Sequence, residues 1–163
     1  MHRGFVILAL KLVHNLWRMG WSMASEIKVV LRQVSASTSE ATIGKHQVLI
    51  DRPVSKGGSD LGPMGGELFL SAIGGCFMSN LLAAMKARDA EISDVTAEVR
   101  GSIVDSPARF GAVDIYLTAE NGDRELLEHL VEVADRGCIM MNTLRDKLEL
   151  SIRICADRSL VGR

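Results

Sequence analysis

The chain has 163 residues and a mass of 17.7 kDa, the size of one ordinary domain. Its composition is globular, with 47% hydrophobic and 24% charged residues, and 19 Lys and Arg against 20 Asp and Glu give a formal charge of −1. The absence of a basic block, the 4% aromatic content and the three cysteines disfavour nucleic-acid binding and a disulfide scaffold, and favour a reducing, cytoplasmic setting.

Residues 1–22 differ from the rest of the chain. They hold both tryptophans and no acidic residue, and their apolar run from Phe5 to Leu10 ends at Lys11. This run is too short for a membrane span, which needs about 20 apolar residues, or for the core of a secretory signal. We interpret residues 1–22 as a leader or an over-extended start. The alternative is an amphipathic helix that packs on the domain, on a partner chain or on a membrane surface. The domain is assigned to residues 23–163.

Two short β-branched stretches open the domain. Lys28–Val34 and Lys45–Ile50 are predicted to be antiparallel strands, and the Ser/Thr-rich link between them, Ser35–Thr42, is predicted to be a turn or short loop. Residues 51–66 contain five Gly and two Pro, a composition that predicts a loop.

The next segment is apolar on nearly every face from Leu68 to Met85, which predicts a helix that is buried all round. A domain of this size seldom encloses a helix so completely, so we expect a second copy of the chain to cover it. Gly74 and Gly75 lie inside this helix, where each costs about 1 kcal/mol relative to Ala. Close approach of another helix backbone would account for both glycines.

The second half of the domain begins with two strands, Val95–Val104 and Ala112–Ala119. A helix follows that is capped by Asn121-Gly122-Asp123 and ends at Gly137 in a left-handed cap. A shorter helix comes next, and the alternation from Leu148 to Cys155 predicts a final strand. The order β-β-α-β-β-α-α-β, with hairpins at both ends, assigns the chain to the α+β class.

The cysteines are the candidate reactive groups. Cys76 lies inside the apolar helix among uncharged neighbours, where a packing role explains it as well as a reactive one. Cys138 starts a helix two residues after Arg136, and both features lower the pKa of a thiol, so local electrostatics favours Cys138 as the more reactive thiol. Cys155 alternates with the apolar residues of the last strand and is interpreted as incidental. Cys76 and Cys138 could form an attacking and a resolving pair if the fold joins them, which their spacing does not decide.

Other chemistries lack their usual signatures. The sequence contains no CxxC, HExxH, GxGxxG or P-loop motif, and its four histidines are far apart along the chain. The pattern therefore predicts no metal, dinucleotide or phosphate site.

Two segments carry a resemblance to a known family. DRPVSKGGSDLGPMGGELFLSAIGGCF and RGCIMMNTLRDKLELSI, with the order of elements over residues 26–155, resemble the OsmC/Ohr family of organic hydroperoxide reductases. The resemblance implies an OsmC-like fold, an intertwined homodimer in which antiparallel sheets wrap around long central helices. It also implies a thiol-dependent peroxidase in which Cys76 attacks and Cys138 resolves. Its substrates would be organic hydroperoxides, its reductant a dithiol such as a lipoylated protein, and it would need no dissociable cofactor.

The chain departs from the pattern of strong family peroxidases at three positions. The Glu ten residues before the first Cys is Gly66 here. The adjacent Glu67 lies about 180° around a regular helix and roughly 13 Å along it from Cys76. The segment SASTSEATIGK, where the resemblance places the activating Arg, contains no Arg, so Arg52 and Lys45 are the nearest candidate cations, and Ile139 replaces the Pro that usually follows the second Cys. Glu67 and Arg52 are therefore supporting candidates, and without a nearby cation burial would raise the pKa of the Cys76 thiol.

These departures leave two further hypotheses open. The dimer could bind a hydrophobic small molecule in the apolar surroundings of Cys76 without catalysis, or it could be a redox sensor that signals through its disulfide to a protein partner. The loop from Arg52 to Gly66 is the segment we expect to differ between these cases, because loops carry substrate selection.

Overall fold

The computed structural model describes residues 25–156, so the interpretation of residues 1–22 lies outside the described residues. The described chain forms two three-stranded sheets with three α-helices. The strands are β1 (Val30–Gln33), β2 (Ser39–Ile43), β3 (His46–Ile50), β4 (Ser93–Val104), β5 (Arg109–Glu120) and β6 (Glu149–Ile154). The helices are α1 (Gly65–Lys86), α2 (Arg124–Gly137) and α3 (Ile139–Leu144), and a 3-10 turn spans Val54–Lys56.

The first sheet is an antiparallel meander in the order β1-β2-β3. The prediction that Ser35–Thr42 is only a turn was wrong, because this segment also supplies most of the middle strand, β2. The turn itself is short: the Ser35 hydroxyl accepts the backbone N–H of Thr38 at 3.0 Å and donates to the Thr38 hydroxyl at 2.8 Å. Ser, Glu and Thr then continue as a strand because the side of a sheet that faces solvent tolerates polar residues.

This first sheet exposes apolar surface. It pairs within itself and does not pack extensively on the helices or on the second sheet of the described chain. Six apolar side chains on or beside it are 43–83% exposed, namely Ile27, Val29, Val30, Leu31, Val34 and Ile43. A three-stranded sheet of this kind is stable only when another surface covers its apolar side chains.

The second sheet has the order β4-β5-β6 and mixes two pairing modes. β4 and β5 form the expected hairpin, whereas β6 runs parallel to β5, with Ala112 opposite Glu149 and Leu117 opposite Ile154. The antiparallel sheets that the resemblance implies therefore hold for the first sheet and for β4–β5, whereas the pairing of β5 with β6 is parallel. Since α2 and α3 intervene between β5 and β6, the connection is a crossover that returns the chain in the direction of β5. The α+β class is confirmed.

The core lies between α1, α2 and the inner face of the second sheet. Its central side chains are fully buried, with 0% exposure at Ile73, Phe77, Leu81, Ile115, Leu117 and Leu130. The prediction that α1 is buried all round does not hold within one chain, because Ser71, Gly75 and Ser79 are exposed and Leu82 is 50% exposed. Within the described residues, α1 is also the one helix whose length and composition would suffice to cross a membrane.

The two glycines of α1 have different surroundings. A Cβ on Gly74 would lie 2.6 Å from Val99 Cγ2, so a side chain of β4 requires this glycine. A Cβ on Gly75 would meet nothing within 4 Å. The space at Gly74 is therefore filled by the chain itself, whereas at Gly75 the described chain leaves open space, and the approach of a second helix backbone there stays a prediction.

Candidate functional site

Cys76 and Cys138 meet although 61 residues separate them in the sequence. Cys76 is half-buried on α1, Cys138 is fully buried between α2 and α3, and the two thiols are close enough for each to shift the pKa of the other. Both are free thiols. The two meet because α1 packs against both α2 and α3.

The surroundings of Cys76 favour its thiolate. Burial is the largest single influence and would raise the pKa of Cys76, but three donors together outweigh it: the backbone N–H of Met140, the thiol of Cys138 and the backbone N–H of Ile139. The two backbone groups belong to the first turn of α3, where N–H groups have no partner within the helix. The pKa of Cys76 is therefore lowered, and the expectation that burial without a cation would raise it was wrong.

Cys138 behaves in the opposite way. Burial is again the foremost cause and raises its pKa, its hydrogen bond and charge interaction with Cys76 act in the same direction, and backbone N–H groups of α3 oppose them only in part. The expected lowering of the Cys138 pKa is therefore contradicted, and the reason is which sulfur the start of α3 faces. The start of α3 does stabilise a thiolate, but the backbone N–H groups of Met140 and Ile139 lower the pKa of Cys76 on the facing helix.

The corner between α2 and α3 is braced on both sides of Cys138. The Asn142 side-chain amide donates to the backbone carbonyl of Arg136 at 3.0 Å. The guanidinium of Arg145 donates to both oxygens of Asp135 at 2.9 Å each. These contacts tie α3 to the end of α2, which fixes where the first turn of α3 points.

Gly137 does not form the predicted left-handed cap. The helix passes into extended backbone at Cys138 (φ −82°, ψ 115°), and Gly137 is not among the described residues with positive φ. The reason for a glycine is packing, since a Cβ there would lie only 3.0 Å from Asn80 Oδ1.

Asn80 is the residue near the thiols that the sequence reasoning did not single out. It is half-buried one turn after Cys76, and its amide Nδ2 lies 2.8 Å from the Cys76 carbonyl oxygen and 4.0 Å from the Cys76 sulfur. Its spacing from Cys76 could have identified it, because residues four apart lie on the same face of a helix.

Glu67 and Arg52, the two supporting candidates, have other surroundings within the described chain. Glu67 is exposed, and its carboxylate accepts the backbone N–H of Met64 at 2.7 Å, which caps the start of α1. Arg52 is exposed in the loop after β3. Neither is among the groups that shift the pKa of Cys76 within the described chain. A supporting role for them stays a prediction.

Asp51 organises the loop that follows β3. Its buried carboxylate accepts backbone N–H groups from Arg52, Ser59 and Leu61 at 2.7, 3.1 and 3.3 Å. Burial alone would raise the pKa of this carboxyl, but the hydrogen bonds outweigh it and lower the pKa from 3.8 to about 2. The predicted loop at residues 51–66 is thus a folded structure around one carboxylate, up to where α1 begins at Gly65.

Two further features bear on the competing hypotheses. A cavity of about 460 Å³ opens between α1 and β4, lined by Glu67, Leu70, Ser71, Gly74, Gly75, Met78, Ala97 and Val99. Cys76 is not part of this lining, because two residues of helix turn it about 200° away from Gly74. Residues 25–156 contain no group of three or more His, Cys, Asp or Glu that could hold a metal ion.

A comparison with protein families matches the chain to one of them. The family model described as OsmC-like protein matches residues 57–153, a range that includes both Cys76 and Cys138. A comparison with curated proteins gives no match.

Solved structures share the fold at low sequence identity. An OsmC-like protein from Mycoplasma pneumoniae has a TM-score of 0.70 and 16% identity, covering 82% of this chain and 98% of that chain. The organic hydroperoxide resistance protein OhrB of Bacillus subtilis has a TM-score of 0.63 and 22% identity, with coverages of 80% and 98%. An organic hydroperoxide resistance protein from Elizabethkingia anophelis has a TM-score of 0.66 and 17% identity, with coverages of 83% and 100%. The OsmC-like fold expected for the single chain is confirmed, and the intertwined homodimer stays a prediction.

Proposed function

The chain belongs to the OsmC-like protein family, and on this basis we propose that it is a thiol-dependent peroxidase that reduces organic hydroperoxides. Cys76 is the attacking thiol and Cys138 the resolving thiol. The observation that carries the proposal is that the two thiols lie together beside the first turn of α3, with Cys138, Met140 and Ile139 lowering the pKa of Cys76. A thiol with a lowered pKa is deprotonated at neutral pH to a greater extent, and the thiolate is the nucleophile.

The reaction proceeds in two steps at these sulfurs. The Cys76 thiolate attacks the terminal oxygen of ROOH, the O–O bond breaks, and the alkoxide leaves and takes up a proton as ROH, so that Cys76 is oxidised to a sulfenic acid. The Cys138 sulfur then attacks the Cys76 sulfur, the S–O bond breaks, and water leaves as the disulfide forms. The raised pKa of Cys138 suits this order, since it keeps Cys138 protonated as a donor until the first step is complete.

A dithiol closes the cycle. Cys76 is half-buried and Cys138 fully buried, so the reductant reaches the Cys76 sulfur first and Cys138 leaves as the thiol. The second thiol of the reductant then attacks its own mixed disulfide, which releases reduced Cys76 and an oxidised dithiol. A lipoylated protein in a reducing cytoplasm fits this exchange.

The working unit is a homodimer. The apolar side chains of the first sheet and the exposed face of α1 lack cover within the described chain, and a second copy of the chain would bury both. Cys76 lies where the buried and the exposed faces of α1 meet, so the partner forms a wall of the site. Glu67 and Arg52 would support the reaction from that partner.

The proposal is tested by following organic hydroperoxide consumption with a dithiol as the reductant. Cys76→Ser should abolish turnover, and Cys155→Ser, the matched control, should leave it unchanged because Cys155 lies beyond β6. One equivalent of hydroperoxide should produce a Cys76–Cys138 peptide in a non-reducing map. Full activity of Cys76→Ser would contradict the proposal. Disulfide formation without turnover would instead support the redox-sensor hypothesis.

A further inference from the structure

Asn80 lies between Cys76 on α1 and the segment that carries Cys138. One N–H of its amide donates to the Cys76 carbonyl at 2.8 Å, which fixes the side chain over the preceding turn of α1. A primary amide carries two N–H hydrogens, and the same nitrogen lies 4.0 Å from the Cys76 sulfur, at the outer limit for a hydrogen bond to sulfur. The second hydrogen is therefore available to that sulfur.

The other end of the amide faces the segment that carries Cys138. Asn80 Oδ1 lies where a side chain on Gly137 would stand, 3.0 Å from the position of its Cβ. The backbone at Gly137 is not left-handed, so conformation does not require a glycine there. The contact with the amide favours a glycine instead, because a Cβ at 137 would crowd Asn80 Oδ1.

We propose that Asn80 is a further catalytic residue, whose side-chain amide donates a hydrogen bond to the Cys76 sulfur as that sulfur carries negative charge. This assignment rests on the function proposed above. The neutral amide of Asn80, together with the two backbone N–H groups of α3, would then stabilise the Cys76 thiolate in place of a cationic side chain. Cys138 is the one ionisable side chain among the groups of the described chain that act on the Cys76 thiol.

The test follows the pH dependence of Cys76 alkylation by iodoacetamide, with the modified peptide identified by mass spectrometry. Asn80→Ala should move the midpoint upward by about 0.5 to 1 pH unit. Alkylation below the midpoint should slow about threefold to tenfold, the range of what a typical intramolecular hydrogen bond contributes. Gly137→Ala should shift the midpoint in the same direction, because the new methyl group displaces the amide.

The control is Thr143→Ala. Thr143 donates to the carbonyl of Ile139 at 2.7 Å, which is likewise a bond from a side chain to the carbonyl four residues earlier in a helix beside the site. It should leave the Cys76 midpoint unchanged. An unchanged midpoint in Asn80→Ala, or an equal shift in Thr143→Ala, would overturn the proposal. If Asn80→Ala melts far below the wild type, Gly137→Ala decides, since it leaves α1 intact. Alkylation needs no hydroperoxide, so its outcome is independent of whether the wild type turns hydroperoxide over.

Discussion

The adjacent glycines of α1 offer a direct test of whether a second copy covers this helix. Gly74→Ala and Gly75→Ala make the same chemical change one residue apart. In a helix interior, Ala is more stable than Gly by about 1 kcal/mol, partly because it restricts the unfolded chain. If the measured change in unfolding free energy differs from that gain, the difference comes from the contacts that each new methyl group makes.

The structure sets a different expectation at each position. The Cβ of Gly74→Ala would lie 2.6 Å from Val99 Cγ2, and overpacking of a buried site costs about 1 to 3 kcal/mol. Its net effect is a loss of up to about 2 kcal/mol of unfolding free energy. The Cβ of Gly75→Ala would meet nothing within 4 Å, so a single chain should gain the full amount, about 2 to 4 °C in Tm for a domain of this size.

A second copy reverses the expectation at Gly75. If the α1 helices of two copies pack face to face, each dimer gains two methyl groups in a close contact, and Gly75→Ala weakens association. The assay is thermal unfolding at several protein concentrations, with sedimentation velocity on the same samples. We expect Gly75→Ala to lower Tm and to shift the protein toward monomer on dilution. A Tm raised by about 2 to 4 °C at every concentration, with unchanged sedimentation, would refute the dimer at this face.

Two further predictions concern single groups. Cys138→Ala removes the thiol that donates to Cys76, so the pKa of Cys76 should rise; iodoacetamide alkylation across pH checks this, and an unchanged or lower midpoint would contradict the described contact. The Asp51 carboxyl, with its pKa lowered from 3.8 to about 2, contributes stability above pH 4 that is lost as pH falls toward 2. Asp51→Asn should therefore unfold at lower urea concentration at pH 7 and should lose less between pH 4 and pH 2; parallel curves for the two proteins would count against this role.

The sequence was sufficient to predict the elements whose apolar residues follow a regular period. Alternation and apolar runs located α1, α2 and the strands of the second sheet to within a few residues, because their buried faces impose a period on the residues. β2 escaped prediction because Ser39–Ile43 has one buried residue, Ala41, and so almost no period. The direction of β6 depends on how α2 and α3 cross the sheet, which no local pattern records.

The sequence identified the two cysteines of the site but did not predict the directions of their pKa shifts. Cys76 and Cys138 were identified, but the assignment of the more acidic thiol requires knowing which sulfur the first turn of α3 faces. That is a relation between two helices, and the sequence beside Cys138 suggests the opposite answer. Asn80 was missed for the same reason, since an amide four residues from a cysteine acquires meaning only when Gly137 is placed against it.

The exposed apolar side chains of the first sheet also have a consequence for how the chain folds. Its strands join through short turns, so they can form early, yet the rest of the described chain gives them little to pack on. For residues 30–50, folding and assembly would then be a single equilibrium. Amide exchange in β1–β3 should slow as protein concentration rises, whereas the amides around Ile73 and Phe77 should be protected at any concentration. The lifetime of the first sheet would in that case be set by how often two chains meet.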